Sequence, residues 1–353
     1  MGRPNNSEIP TTPFWIRVFW DLCWAWALIG VAVGSGRVLA HDSHLFLAVA
    51  NCLSLYIYAP AVIVFPIAVW KSRHYLAIAS GLLVVAQLVW VAPDFFPAQR
   101  TEVVAGSPSL RVFSANLYMD NKSPEGTVDE INACDPDVIL LQEFSPIWQR
   151  TLSRSGIMDK YPHTVMHSRE DSFGAAVLSK QPFLEKTVWI IGEVPIISVG
   201  IQWQGSPIRI YNWHPLPPRT FEYFKIWNNQ YHELLQRLSQ ETGPVLLIGD
   251  FNATQHNLWM KRLLSSGYQS AHIQTGRGYA VTYPNGTSRA PPIRLDHALS
   301  SKHFLCPQIR EGIGHGSDHK PLIVDFVLLP VSNDPLTRDS TKETLLNPSK
   351  DSQ

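Results

Sequence analysis

The chain has 353 residues, with 29 basic and 29 acidic side chains that cancel, and only 16% of its residues are charged. That length excludes a single small domain, and the low charge is what a chain partly solvated by lipid shows. The four cysteines, Cys23, Cys52, Cys134 and Cys306, form no CxxC pair, so neither a disulfide framework nor a zinc site is expected.

Three long apolar stretches come first, at about 18–39, 45–70 and 76–96. Each reaches the ~20 residues that cross a bilayer core as a helix. They predict a membrane region over 1–98 with three transmembrane helices. Asp21 interrupts the first stretch near its start, where Trp15, Trp20 and Trp24 suit the headgroup region. A cleaved signal peptide fits badly, because the first run is long and two more follow it. Arg3 and Arg17 precede the first stretch, and Lys71, Arg73 and His74 join the second to the third. The loop between the first two offers Arg37 offset by Asp42. The more basic ends share one side, which predicts that side as cytoplasmic and everything after Phe96 as extracytoplasmic.

Residues 99–109 read as a polar linker, 110–329 as a domain of mixed strands and helices and 330–353 as a disordered tail without apolar period. In the domain, short apolar runs alternate with few helices. Strands are expected at Leu110–Leu117, Asp137–Glu143, Phe173–Lys180, Pro195–Trp203, Ile208–His214, Val245–Asp250, Ile293–Ser300 and His319–Leu329. Helices are expected at Ser123–Cys134, Phe221–Glu241 and Leu258–Ser265. Many strands with few helices predict an α/β architecture of two sheets packed face to face, with helices outside.

Polar residues collect at the strand ends: Asn116, Glu143 in "LLQE", Asn212 and His214 in "YNWHP", Asp250 and Asn252 in "GDFN", Asp296 in "RLDHALS", and Asp318 and His319 in "GHGSDHKPL". The set holds no nucleophile elbow, no GxGxxG and no phosphate loop. It holds carboxylates ready for a metal, carboxamides and two Asp–His adjacencies. Gly174 fits a close backbone approach or tight packing. Arg169, Arg219 and Arg294 read as surface arginines, with binding of a second substrate group as the alternative, and His297 as structural.

The order and wording of these motifs resemble the endonuclease/exonuclease/phosphatase superfamily, the metal-dependent phosphoesterases of DNase I-like fold, and in particular its membrane-anchored members. "GDFNA" and "GSDHKPL" carry most of the likeness. The resemblance implies a four-layer α/β sandwich of two mixed sheets flanked by helices. It implies Mg²⁺, with Mn²⁺ as a substitute, held by Glu143, Asn116 and Asp318. It further implies Asp250 as the base for the attacking water, Asn252 as a phosphate donor and His319 as the histidine on the phosphate. Asp296 would orient that histidine, and His214 would be the acid for the leaving oxygen. His214 departs from the family pattern, since Trp213 precedes it where a threonine is usual. Such residues suit the chemistry, because phosphoester hydrolysis needs a hard cation, an activated water and a proton for the leaving group.

Acidic and basic residues are equal in number over 106–330. A neutral domain lacks the basic face that nonspecific DNA binding favours. The expected partners are therefore the bilayer and a phosphate-ester substrate, such as a phospholipid head group or a small ester, with no obligate protein partner. Cleavage of extracytoplasmic nucleic acid is the alternative, and an inactive tethered binding domain is a further one.

Overall fold

The computed structural model describes residues 13–96, 106–286 and 288–330. Most of the expected linker and all of the expected tail beyond Pro330 lie outside the described residues.

The chain opens with helices α1 (Phe14–Leu39), α2 (Leu45–Cys52), α3 (Ser54–Tyr58), α4 (Ala61–Trp70) and α5 (His74–Val91), followed by a 3₁₀ turn at Ala92–Phe95. Two segments, Phe14–Leu39 and His74–Phe95, are long and apolar enough to cross a membrane. The second expected span is not one helix: Leu45–Cys52 and Ser54–Trp70 meet at a 74° bend, so the spans number two, or three if the bent pair counts as one. The break has local and distant causes. Leu45 and Ala48 of α2 are buried in a core they share with the α/β domain that follows, which holds α2 against that domain. At the bend the hydroxyl of Ser54 donates to Asn51 O and accepts from Arg37 Nη1.

The α/β domain follows as β1 (Ser109–Asn116), α6 (Pro124–Cys134), β2 (Val138–Gln142), α7 (Pro146–Arg154), α8 (Ile157–Lys160), β3 (His163–His167), β4 (Ala175–Ser179), β5 (Phe183–Ile191), β6 (Val194–Trp203), β7 (Ser206–Trp213), α9 (Phe221–Leu238), β8 (Val245–Asp250), α10 (Leu258–Ser265), β9 (Gln269–Ser270), α11 (Ala271–Thr275), β10 (Asp296–Ser300), β11 (Phe304–Glu311) and β12 (Leu322–Leu328). They form two six-stranded sheets, ordered β11-β12-β1-β2-β4-β3 and β5-β6-β7-β8-β10-β9. Each sheet is mixed, with one parallel pair inside it, β1–β2 and β7–β8. Helices α6 and α9 make the two crossovers.

Strand side chains alternate between faces, and that alternation builds the layers. Val112, Leu140, Ile210, Leu246, Ile248 and Ala298 point between the sheets into one core. Phe113, Ile139 and Leu141 face outward onto α6 and α7, while Tyr211, Trp213 and Leu247 face α9 and α10. The result is helix, sheet, sheet, helix. Asn212 continues the intersheet face and is wholly occupied there. Its Nδ2 donates to Leu141 O and Ala176 O, and its Oδ1 accepts from Gln142. It therefore stitches one sheet to the other, and no group is left over for catalysis.

Where the helical unit meets the domain, His256 is buried and its pKa is lowered to about 3, by burial first and then by the nearby Arg37, Arg294 and Lys261 cations. The fold thus favours the neutral imidazole, whereas the unfolded chain takes up a proton below about pH 6.5. The unfolded state binds more protons between these limits, so stability falls as pH drops from 6.5 toward 3, by up to about 1.4 kcal/mol per pH unit. Thermal midpoints measured from pH 7.5 to 4.5 should fall more steeply for the wild type than for His256→Gln. Parallel profiles would contradict the assignment.

Candidate active site

The intersheet face that is apolar at mid-strand becomes polar at one end. Asn116, Asp250, Asp296 and His214 each lie an even number of residues from an inward-facing apolar neighbour, Val112, Ile248, Ala298 and Ile210 respectively. Period-two geometry alone aims them at the same rim. Asp296 and Asp250 are also direct register partners across β10 and β8. Glu143 lies one residue out of phase with Leu140 and Gln142. Its φ of 54° kinks the chain after β2, and the carboxylate reaches the rim.

Asn116 ties the acidic groups together. Its Nδ2 donates to Glu143 Oε1 at 3.2 Å and to Asp250 Oδ2 at 3.1 Å, and its Oδ1 accepts from Tyr118 N. Met119 N donates to the other Glu143 oxygen. Asp250 Oδ1 accepts from Asn252 N at 2.8 Å. Its Oδ2 lies 3.6 Å from His214 Nε2 and 3.8 Å from His319 Nε2. His319 Nδ1 is 2.8 Å from Asp296 Oδ2, and Asp296 N donates to Thr282 Oγ1. Asn252, also left-handed with φ 46°, donates Nδ2 to Pro215 O, which leaves its second N–H for another acceptor.

The structure brings seven of the eight expected residues into contact or near-contact, directly or through the backbone. Asp318 adjoins them, and its Oδ1 is buried without a hydrogen-bond partner. Burial raises its pKa. Burial alone would lower that of His319, but the carboxylates of Asp296, Asp250 and Asp318 outweigh it and raise it to about 10. The surrounding carboxylates thus favour the protonated form of His319. His214 Nδ1 is buried and unpartnered.

Sequence reasoning missed several supports. Ser317 Oγ donates to Asn116 O and accepts from His319 N, which locks the last motif onto the first. Its place inside "GSDH" was the available signal. Tyr283 lies with its ring 4.9 Å from that of His319, and Phe173 approaches His214 at 6.2 Å; neither has a local signature. Gly174 is where Phe144 O passes, at 2.0 Å from any Cβ, as expected of a close approach. His297 is structural, with Nε2 2.9 Å from Ala253 O. Arg169 pairs with Asp171. Arg294 is not a surface arginine: it is 1% exposed and faces Asp94 at 3.6 Å.

The donor set suits a hard divalent cation. It offers carboxylate oxygens from Glu143 and Asp318, the latter orphaned, an amide oxygen from Asn116, and no thiolate. Asp250, Asp296 and His319 also present side-chain atoms within 4.8 Å of one another, but a protonated His319 bonded to Asp296 has no lone pair to offer a cation.

Two packed mixed sheets with such a rim define a DNase I-like α/β sandwich. The chain belongs to the Endonuclease/Exonuclease/phosphatase family, whose sequence model matches residues 113–319. Members of that family are hydrolases acting on phosphate esters. A UPF0294 protein of Vibrio parahaemolyticus is 25% identical over 239 residues, covering 62% of this chain and 78% of that protein. An endonuclease/exonuclease/phosphatase from Beutenbergia cavernae superposes with a TM-score of 0.52 at 18% identity, over 63% of this chain and 72% of its own. A humanized TDP2 from D. rerio gives a TM-score of 0.52 at 18% identity, over 62% of this chain and 98% of its own.

Proposed function

We propose that the protein is a membrane-anchored, divalent-metal-dependent phosphoesterase that acts outside the cytoplasm on a phospholipid head group or a small phosphate ester. The observation that carries this reading is the Asp250 carboxylate, oriented by Asn116 and flanked by two histidines, beside the orphaned Asp318 oxygen.

Glu143, Asn116 and Asp318 would hold Mg²⁺ or Mn²⁺, which when bound neutralises phosphate charge. Asp250 accepts a proton from the attacking water, within hydrogen-bond reach of its Oδ2. The His319 imidazolium, oriented by Asp296, meets the charge that grows on the phosphoryl oxygens. The second N–H of Asn252 adds a neutral donor. His214 Nε2 gives a proton to the leaving oxygen.

The lipid preference rests on the seam between the two units. Phe46 of α2 and Phe221 of α9 touch edge to face at 5.8 Å, yet are 74% and 61% exposed. Phe221 is seven residues from His214, so the site rim lies within about 25 Å of this aromatic pair even for a fully extended chain. Exposed phenylalanines of this kind can bury at the headgroup–acyl boundary of a bilayer.

The full-length protein in nanodiscs should hydrolyse a bis-aryl phosphodiester with Mg²⁺ or Mn²⁺. EDTA should reduce the rate by about 100-fold or more. Undiminished turnover in EDTA would sink the metal-dependent reading. On phospholipid vesicles, plasmid DNA and RNA in parallel, lipid cleavage is expected, and nucleic-acid cleavage without lipid cleavage would establish the nuclease alternative.

A further inference from the structure

We infer that the helical unit is part of the active-site scaffold, with Asp42 and Asp94 as positioning residues for the two segments that carry Asp250 and Asp296. The catalytic side of this inference rests on the phosphoesterase reading above.

The first clasp acts on the loop that leaves β8. Within seven residues of Asp250 the chain reaches Asn257, whose Oδ1 accepts from Thr254 N and Thr254 Oγ1. Asn257 is 0% exposed, and its amide is held by the helical unit: Nδ2 donates to Asp42 Oδ2 at 3.1 Å and to Ala48 O at 3.0 Å. Cys52 Sγ donates to its Oδ1. The same Asp42 oxygen accepts from Leu258 N at 2.6 Å. Asn257, at the N-cap of α10, makes no side-chain cap bond of its own. The α10 N-terminus is therefore capped by a carboxylate 216 residues away in sequence, where a negative charge meets free N–H groups and the positive end of the helix dipole.

The second clasp acts on the segment entering β10. Asp94 Oδ2 accepts from Gln255 Nε2 at 2.7 Å, and Asp94 Oδ1 faces Arg294, two residues before Asp296. Arg294 Nη1 donates to Gly278 O, and Gly278 N donates to Asp94 O. Tyr56 Oη donates to Pro292 O. A buried guanidinium without its carboxylate is strongly unfavourable, so loss of Asp94 would force rearrangement beside Asp296. Asp42 and Asp94 are 3% and 4% exposed, so both carboxylates are shielded from solvent at the interface. Leu45 and Ala48 join Leu247, Trp259, Met260 and Leu263 in one core. A simple tether needs none of this.

The test uses the full chain with a specific protease site placed within residues 97–105. After cleavage in mild detergent, the catalytic fragment should stay bound to the helical fragment, and Asp42→Asn combined with Asp94→Asn should release it. Release from the otherwise unchanged chain would overturn the inference, whatever the activity. On the aryl phosphodiester, Asp94→Asn should lower kcat by about 10-fold to 100-fold with KM little changed. Arg294→Gln in that background should recover most of the loss, because it removes the stranded cation. Wild-type kcat in both Asp42→Asn and Asp94→Asn would overturn the positioning roles. Retention of the fragment in a protein that hydrolyses nothing would support the docking while refuting the phosphoesterase reading.

Discussion

His319→Ala is expected to lower kcat/KM on the aryl phosphodiester by about 1,000-fold. His319 is buried, bonded to Asp296 and 3.8 Å from Asp250, which in the proposed mechanism sets its charge against both the base and the phosphate. Alanine removes that charge and strands two carboxylates. Asp296→Asn should cost less, because the imidazole stays in place while losing the partner that fixes its orientation and charge. KM should change little in either variant if the interaction develops only in the transition state. Steady-state kinetics at saturating Mg²⁺ decide the matter, and a His319→Ala enzyme within threefold of the wild type would remove His319 from the mechanism.

Gly249→Ala should produce the largest loss of stability. Gly249 pairs with Trp213 across β7 and β8 and has φ 149°, a conformation side chains rarely adopt. A Cβ there would sit 2.1 Å from Trp213 O, a backbone atom with nowhere to go. The parallel pair that carries both His214 and Asp250 would have to part. The cost is expected to exceed about 3 kcal/mol, which for a domain of this size lowers the melting temperature by about 10 °C. Gly243→Ala is the control: no atom lies within 4 Å of its Cβ, and its change should stay within about 0.5 kcal/mol. Thermal melts of the two variants measure the difference, and equal midpoints would show that the β7–β8 approach tolerates a side chain.

Much of the site was legible in the chain because period-two alternation is local. Once β1, β7, β8 and β10 are read as strands, the parity of Asn116, His214, Asp250 and Asp296 follows, and the motif order resembles one family. The short helix expected near Leu258–Ser265 is present there as α10. Edge elements were less legible. β5 is largely exposed along its length and β11 contains Pro307 and a register shift, so neither shows the buried run or clean alternation that marks an inner strand.

By itself, then, the sequence determined the two sheets, the polar rim and the apolar helices ahead of them, since each depends on patterns a few residues long. The tertiary structure alone decided that Arg294 is buried against Asp94, that Asn212 stitches the sheets, that the second apolar stretch bends at Leu53, and that Asp42 caps a helix on the far side of the chain. Apart from the bend, which also has local contacts, those outcomes are pairings between groups 36 to 216 residues apart. A buried polar group must find a partner, but nothing in its neighbours along the chain says where that partner is.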